Sequence, residues 1–395
     1  MTAPLASPGG LSYRSRMLVV LSLGWATLQC GRFLLPPLLP RITEALAFSP
    51  AGIGAALTGF GLVYAAVQYP SGTYSDALSR ATLILPGFLV LLAGFLAVAL
   101  SVTAAFFVGA VLVLGVGKGL YASPSRALLG DLFTARRGRA LGIYSAGTDV
   151  GGLLASGLAV VVLATTAWQV AFLPVIAVLA AVTALYFVWN RDPYERGRVD
   201  LDPGGTLGRL LATAEQRETL VAFSVFYFFV GGLTNFLPTL LVAGGFSETV
   251  AGASFALLFG AGILAKPVGG DLSDRFPKLL VGVGGLLVAV VGMALVLLAP
   301  TLPVVAVGTV LTALGYKTLF PVADTLIMGA APTGSMGADL GASRAIFLGA
   351  NALGPGFVGV VAELTDFATA FWALTATLLV SVFLLGRRYR RNADG

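Results

Sequence analysis

Apolar runs the length of a bilayer crossing recur along the whole sequence, and they restrict what the chain can fold into. The stretches 82–100, 281–298 and 368–385 hold no charged residue, and a helix needs ~20 such residues to cross the hydrocarbon core. In lipid every backbone polar group must be satisfied internally, so runs of this kind become helices. Charged residues make up only 11% of the chain and hydrophobic ones 57%, with mean hydropathy +0.93. A soluble domain carries about 25% charged residues, so a soluble core is excluded.

Approximate spans fall at 17–40, 52–71, 81–101, 104–128, 140–164, 168–189, 220–243, 250–270, 279–299, 302–327, 343–362 and 367–386, twelve in all. Arg14 and Arg16 precede the first run as in a signal peptide. The run continues to Leu39 without a clear cleavage site, so it reads as a retained first helix. Basic residues alternate between the connecting segments. One set holds Arg80, Arg136, Arg137, Arg139, Arg275, Lys278 and the Arg387–Arg391 tail; the opposite set holds Arg41 with Glu44, Glu248, Glu363 and Asp366. The positive-inside rule then places both termini in the cytoplasm, as an even number of spans requires. The net charge of +6 is absorbed by this orientation signal and points to no nucleic acid. The only cysteine, Cys30, permits no disulfide within the chain.

The polar segment 190–219 is broken by Asp192-Pro193 and Pro203-Gly204-Gly205. The expected organisation is an N-terminal six-helix half at 1–189, a cytoplasmic linker at 190–219, a C-terminal six-helix half at 220–386 and a cytoplasmic tail at 387–395. The halves echo each other: Ser71-Gly72-Thr73-Tyr74-Ser75-Asp76 with Gly269-Gly270-Asp271-Leu272-Ser273-Asp274, and Gly117-Lys118-Gly119-Leu120-Tyr121 with Tyr316-Lys317-Thr318-Leu319-Phe320. Parallel halves with a binding site between them are a recurring transporter plan.

Arg32, Lys118, Lys266 and Lys317 lie inside the apolar spans, with Asp149 the embedded acid. A charge near the bilayer centre costs about 2.5–3.5 kcal/mol on insertion scales. Such groups must face a wet cavity, a partner or a ligand, and the excess of cations points to an internal site that attracts negative charge. The third, sixth, ninth and twelfth spans carry no embedded charge. At about 1.5 Å per residue, Lys118 and Asp149 lie at similar depth on sequential helices, which makes an ion pair between them an expectation; Lys118 is then structural, and otherwise it meets substrate. Lys317 has no acid at its depth, with Asp324 about two turns nearer the cytoplasm, and is the stronger candidate to meet substrate. With no histidine in the chain, Asp149 is the leading candidate to carry a coupling proton. Gln68, Tyr121, Tyr316, Asn235 and Asn351 are further substrate-binding candidates. Each also fits plain interhelical hydrogen bonding.

The loop Gly270-Asp271-Leu272-Ser273-Asp274-Arg275-Phe276-Pro277-Lys278 resembles the G-x-L-x-D-R-x-G-R/K signature of the major facilitator superfamily, with Pro277 in place of the second Gly. Its counterpart keeps Gly72, Asp76 and Arg80 but has Ala77 and Ser79 where the pattern has Arg and Gly. The resemblance covers roughly residues 15–390. It implies an all-α integral membrane fold of twelve transmembrane helices in two pseudo-symmetric halves, with the third, sixth, ninth and twelfth peripheral. It also implies gating loops built on Gly72, Asp76, Arg80, Gly270, Asp274 and Arg275 that hold one state of an alternating-access cycle. Lys266 occupies a position resembling the eighth-helix arginine of nitrate-type members, with Gln68 at the matching second-helix position; a lysine there can also snorkel. Arg32 matches a first-helix arginine of organic-anion and phosphate-ester members, and guanidinium suits carboxylate or phosphate bidentately; a packing role is the alternative.

The expected function is therefore secondary transport of a small, anionic solute in the cell membrane. Its partners are that solute, membrane lipids and a coupling proton, with the chain a monomer. Efflux of amphipathic drugs or cations is the alternative, and a non-transporting receptor a further one. An enzyme is not expected: the sequence offers no cluster for a metal, no acid/base pair and no cofactor motif. Gly115-Val116-Gly117-Lys118-Gly119 lacks both the first Gly and the Ser/Thr of a phosphate loop.

Overall fold

The computed structural model describes residues 12–163, 167–198, 203–299, 301–330 and 336–394. Twelve of its helices are long and apolar enough to cross a membrane. The first six are α1 (Tyr13–Ala45), α2 (Pro50–Ala77), α3 (Ala81–Ala99), α4 (Ala104–Leu132), α5 (Arg137–Leu163) and α6 (Phe172–Trp189). After the short α7 (Pro203–Leu210) come α8 (Ala214–Ala243), α9 (Glu248–Arg275), α10 (Lys278–Leu297), α11 (Leu302–Ala330), α12 (Met336–Leu364) and α13 (Phe367–Asp394). The expected spans are all present, most of them a turn or so longer. Within the segment read as a linker, Pro203 opens a two-turn helix, a position where its missing N–H costs nothing, and α8 starts at Ala214 rather than 220.

Side-chain caps set the starts. Ser12, Ser49, Thr103, Thr213 and Ser247 each accept a hydrogen bond from the backbone N–H three residues on, satisfying one of the donors that a helix start leaves open. The turns after α1 and α8 repeat one design. Ala47 (φ 52°) and Gly245 (φ 90°) adopt the left-handed conformation. Phe48 N and Phe246 N then donate back to Thr43 O and Leu241 O, both at 3.0 Å, and Ser49 and Ser247 cap the next helix. The same turn at the same place in each half is a trace of pseudo-symmetry that the sequence comparison of the halves did not use.

Helices α3, α6, α10 and α13 form the periphery. They present large apolar side chains outward, among them Leu89, Phe187, Val291 and Phe383, as a lipid-facing surface requires. The halves meet along α2 with α12, α5 with α9 and α1 with α8. One face of the bundle carries Glu44, Glu248, Glu363 and Asp366 and is called the acidic face below; the other carries Arg80, Arg275 and Arg387 and is called the basic face.

The halves are joined at the acidic face. Arg41 makes a bidentate contact with Glu248, Nε to Oε1 at 3.0 Å and Nη2 to Oε2 at 2.9 Å. Ala51 N, in the first turn of α2, donates to Glu363 Oε2 at 2.8 Å, where the helix dipole favours an anion. Deeper in, Gly356 N donates to Thr58 Oγ1 at 2.8 Å. A Cβ on Gly54 would lie 2.6 Å from Pro355 O, so this close backbone approach needs glycine. The Gly354-Pro355-Gly356 segment thus serves close packing on two sides, Gly354 against the α8 backbone at Phe228 and Gly356 against Thr58 of α2.

At the basic face the polar contacts recorded among the described residues stay within a half. Arg80 pairs with Asp76 and, at 3.1 Å, with Asp131, and Arg275 pairs with Asp271 at 2.9 Å. The loop glycines are not pressed by the other half: the nearest atom to a Cβ on Gly72 is Ser123 Cβ at 3.9 Å, and Gly270 has nothing within 4 Å. The side chain of Asp274 lies outside the described residues. The segment after α6 is strapped to the first half, with Ser79 Oγ donating to Pro193 O and Glu195 N donating to Thr82 Oγ1 at 2.9 Å.

The Arg41–Glu248 pair is part-exposed and contributes at most about 1 kcal/mol. Arg41→Ala should raise the labelling rate of a cysteine placed at Ile53, with Cys30 replaced by Ala, by about two- to fivefold. A membrane-impermeant maleimide applied from the acidic face measures it.

Candidate functional site

Between the halves lies a cavity of about 460 Å³, within the range of small-molecule sites. Helical spacing assembles it. On α1, Trp25, Gln29 and Arg32 stand at i, i+4 and i+7 and share one face. Helix α4 adds Lys118 and Arg126, α9 adds Lys266, α11 adds Tyr316 and Lys317, and α12 adds Arg344 and Asn351. The cavity is closed at the acidic face by the contacts above and by Phe33, whose ring packs 4.5 Å from that of Phe259. It extends toward the basic face, where Arg126 and Arg344 lie.

Asp149 on α5 links the halves at mid-depth. Its Oδ2 accepts from Lys266 Nζ at 2.5 Å and its Oδ1 from Lys317 Nζ at 2.6 Å. Asp149 and Lys317 are both buried, and Lys266 is part-exposed to the cavity. This corrects two expectations. Asp149 does not pair with Lys118, and Lys317 does have an acid at its depth, contributed by the other half. The cause is the α5–α9 packing, which turns this face of α5 across the interface. One carboxylate shared by two ammonium groups leaves one positive charge unbalanced.

Lys118 is buried with no carboxylate in ion-pairing range among the described residues. Its Nζ sits 4.4 Å from the ring centre of Tyr64, 5.6 Å from Phe60 and 5.9 Å from Trp25. Ring faces attract a desolvated cation by about 2 kcal/mol or more, which offsets part of its desolvation. The charges of Arg32 and Arg126 both act on it. Arg126 lies 5.1 Å from the Trp25 ring and 5.7 Å from that of Tyr144. Trp25 is itself fixed by Nε1 donating to Thr148 Oγ1 at 2.9 Å. Arg32 stacks on Phe33 at 4.5 Å and, like Arg126, has no carboxylate within ion-pairing distance among the described residues.

The neutral candidates divide. Gln68, Tyr316, Asn235 and Asn351 line the cavity. Asn351 Nδ2 donates to Tyr227 O at 2.9 Å and Asn235 Nδ2 to Gly231 O at 2.7 Å, so both have spent a donor on the scaffold. The Gln29 and Gln68 carbonyl oxygens are buried with no donor among the described residues. Tyr121 does not line the cavity. It is fully buried, donates its hydroxyl to Leu21 O at 2.6 Å and packs its ring on Phe88, in space that Gly24 leaves open. It is a packing residue.

Sequence reasoning missed Arg126 and Arg344. Both fall inside the expected spans, close enough to their basic-face ends to pass for interfacial anchors. The helices run further, to Leu132 and from Met336, which sets the two residues about 9 and 12 Å inside at 1.5 Å per residue. The available signal was the near-two-turn spacing of Lys118 and Arg126 on α4.

Removing one member of a buried ion pair strands the other charge and costs about 3–5 kcal/mol. Asp149→Asn should therefore lower thermal stability in detergent by about 3 kcal/mol, because Lys266 retains some water. Lys118→Met, which orphans no acid, should leave stability unchanged or raised.

Comparison with known proteins places this arrangement. The Major Facilitator Superfamily profile matches residues 21–342 and 219–394. The chain is 27% identical over 262 residues to the probable sulfoacetate transporter SauU of Cupriavidus necator, a match covering 60% of each chain. It is 23% identical over 188 residues to the methylenomycin A resistance protein of Bacillus subtilis, covering 47% of this chain and 40% of that one. The matched regions thus span less than two thirds of either relative. Among solved structures, a bacterial homologue of the human lysosomal transporter Spinster, inward-facing and occupied, superposes with a TM-score of 0.84 at 19% identity over 97% of this chain and 98% of its own. The chain belongs to the Major Facilitator Superfamily and is a multi-pass membrane protein.

Proposed function

We propose that the protein is a secondary transporter that carries a small anionic solute by alternating access. The observation that carries this reading is the charge of the cavity: among the described residues, Arg32, Lys118 and Arg126 line it without a carboxylate, and Lys266 and Lys317 share only Asp149. Cations held in a low-dielectric space cost several kcal/mol unless compensated, and an anionic solute supplies the compensation. The name of the Cupriavidus relative, a probable sulfoacetate transporter, is in keeping with an anion.

The alternating basic content of the loops supports a cell-membrane orientation with the basic face and both termini in the cytoplasm. On that orientation the cavity opens to the cytoplasm and the Arg41–Glu248 contact closes the outer face. The opposite closure brings the basic-face loops together, with Gly72, Asp76, Arg80, Gly270, Asp274 and Arg275 as the contacting set. Drug efflux, which the name of the Bacillus relative suggests, is the weaker reading: the acid a lipophilic cation would need, Asp149, is already held by two lysines. The protein is proposed to act as a monomer.

In liposomes containing the purified protein, anionic solutes should exchange in counterflow and lipophilic cations should not. Arg32→Gln, which removes a charged donor, should weaken anion exchange about 10- to 100-fold, as expected for 1.5–3 kcal/mol. Exchange of cations in place of anions sinks the proposal.

Proton coupling is assigned to Asp149, the carboxylate whose protonation would free Lys266 and Lys317 and untie the halves at mid-depth. Asp149→Asn should abolish accumulation driven by a pH gradient while counterflow persists. Undiminished pH-driven accumulation would remove Asp149 from the coupling step.

A further inference from the structure

The cations of the cavity are not one cluster. Arg32, Lys118 and Arg126 come from α1 and α4 of the first half. Lys266 and Lys317 come from α9 and α11 of the second; Arg344 on α12 also lines the cavity and engages a partner of its own. An aromatic pair stands between Arg32 and Lys317. Lys118 and Arg126 both bear on Trp25. Arg32 lies over Phe33, Phe33 packs on Phe259, and Lys317 lies 4.6 Å over Phe259.

Each set is short of negative charge by itself. The first has no carboxylate in range among the described residues. The second has two lysines and only Asp149. A monoanion seated at either end leaves the other end uncompensated in a low-dielectric space, where each bare charge is costly. An anionic group at each end balances the second set and reduces the excess of the first, and a ligand with two such groups touches both halves at once.

We propose that the solute is a small organic dianion spanning the cavity, one acidic group held by Arg32, Lys118 and Arg126 and the other by Lys266 and Lys317 beside Asp149. The proposal rests on the anion reading above and adds its valence and its two-ended pose. Carboxylate, sulfonate and phosphate groups all meet the requirement, since guanidinium and ammonium groups bind each of them. Specificity for the dianion is then a difference in affinity produced at the far end of the molecule.

The test uses matched pairs on the reconstituted full-length protein. Succinate, glutarate and sulfoacetate are compared with monomethyl succinate, monomethyl glutarate and acetate as competitors of counterflow. The best dianion should compete at a concentration at least tenfold lower than its monoanionic partner. Lys118→Met should bring the two to within about threefold by weakening the dianion. Because Lys118 has no acid partner among the described residues, the variant strands no charge among them, and its melting temperature checks its fold. Equal potency of the monoanions, response to neither class, or a preference unchanged in Lys118→Met overturns the two-ended site. Competition by monoanions alone leaves the anion reading standing. Competition by lipophilic cations alone overturns that reading as well.

Discussion

The contact on which the arrangement turns is the Asp149 carboxylate held between Lys266 and Lys317. Three charges meet where a bilayer would otherwise exclude them, and they belong to different halves. The helices around them are ordered by this need. Those bearing charge line the interior, and those without it, α3, α6, α10 and α13, turn apolar side chains outward. The remaining hydrogen bonds between the halves among the described residues, at Arg41–Glu248, Ala51–Glu363 and Thr58–Gly356, lie toward the acidic face. The bundle is therefore closed on one side and pinned in the middle.

Lys118 shows a different way to keep a charge in such a place. Aromatic faces from α1 and α2 surround it, and among the described residues no acid neutralises it. Ring faces stabilise a cation without cancelling its field. The ammonium group thus stays attractive to an incoming anion, whereas a carboxylate partner would have quenched it.

The number of spans, their order and the peripheral set were legible because lipid imposes long apolar runs and penalises charge. The embedded cations were legible for the same reason. Their pairing was not. Depth along a helix identifies groups at one level but carries no azimuth. Asp149 was matched with Lys118 on the neighbouring helix, when Lys317 stood at the same level in the other half. Tyr121, a candidate as a polar side chain within a span, points off the cavity onto Phe88. Arg126 was obscured by the difference between the apolar run and the longer helix that contains it. The short α7 was hidden by Pro203, read as a breaker although proline also begins helices.

The unbalanced charge of the cavity has an electrical consequence. A membrane potential acts on any charge that crosses it, with about 2.3 kcal/mol per elementary charge per 100 mV. In the cycle proposed above, the empty carrier turns with bare cations in its centre, and the loaded carrier turns with part of that charge neutralised. Voltage therefore bears more strongly on the return of the empty protein, and the interior-negative potential of a cell holds the vacant cavity toward the cytoplasm. The residues that would recognise the solute would then also set the carrier's resting orientation.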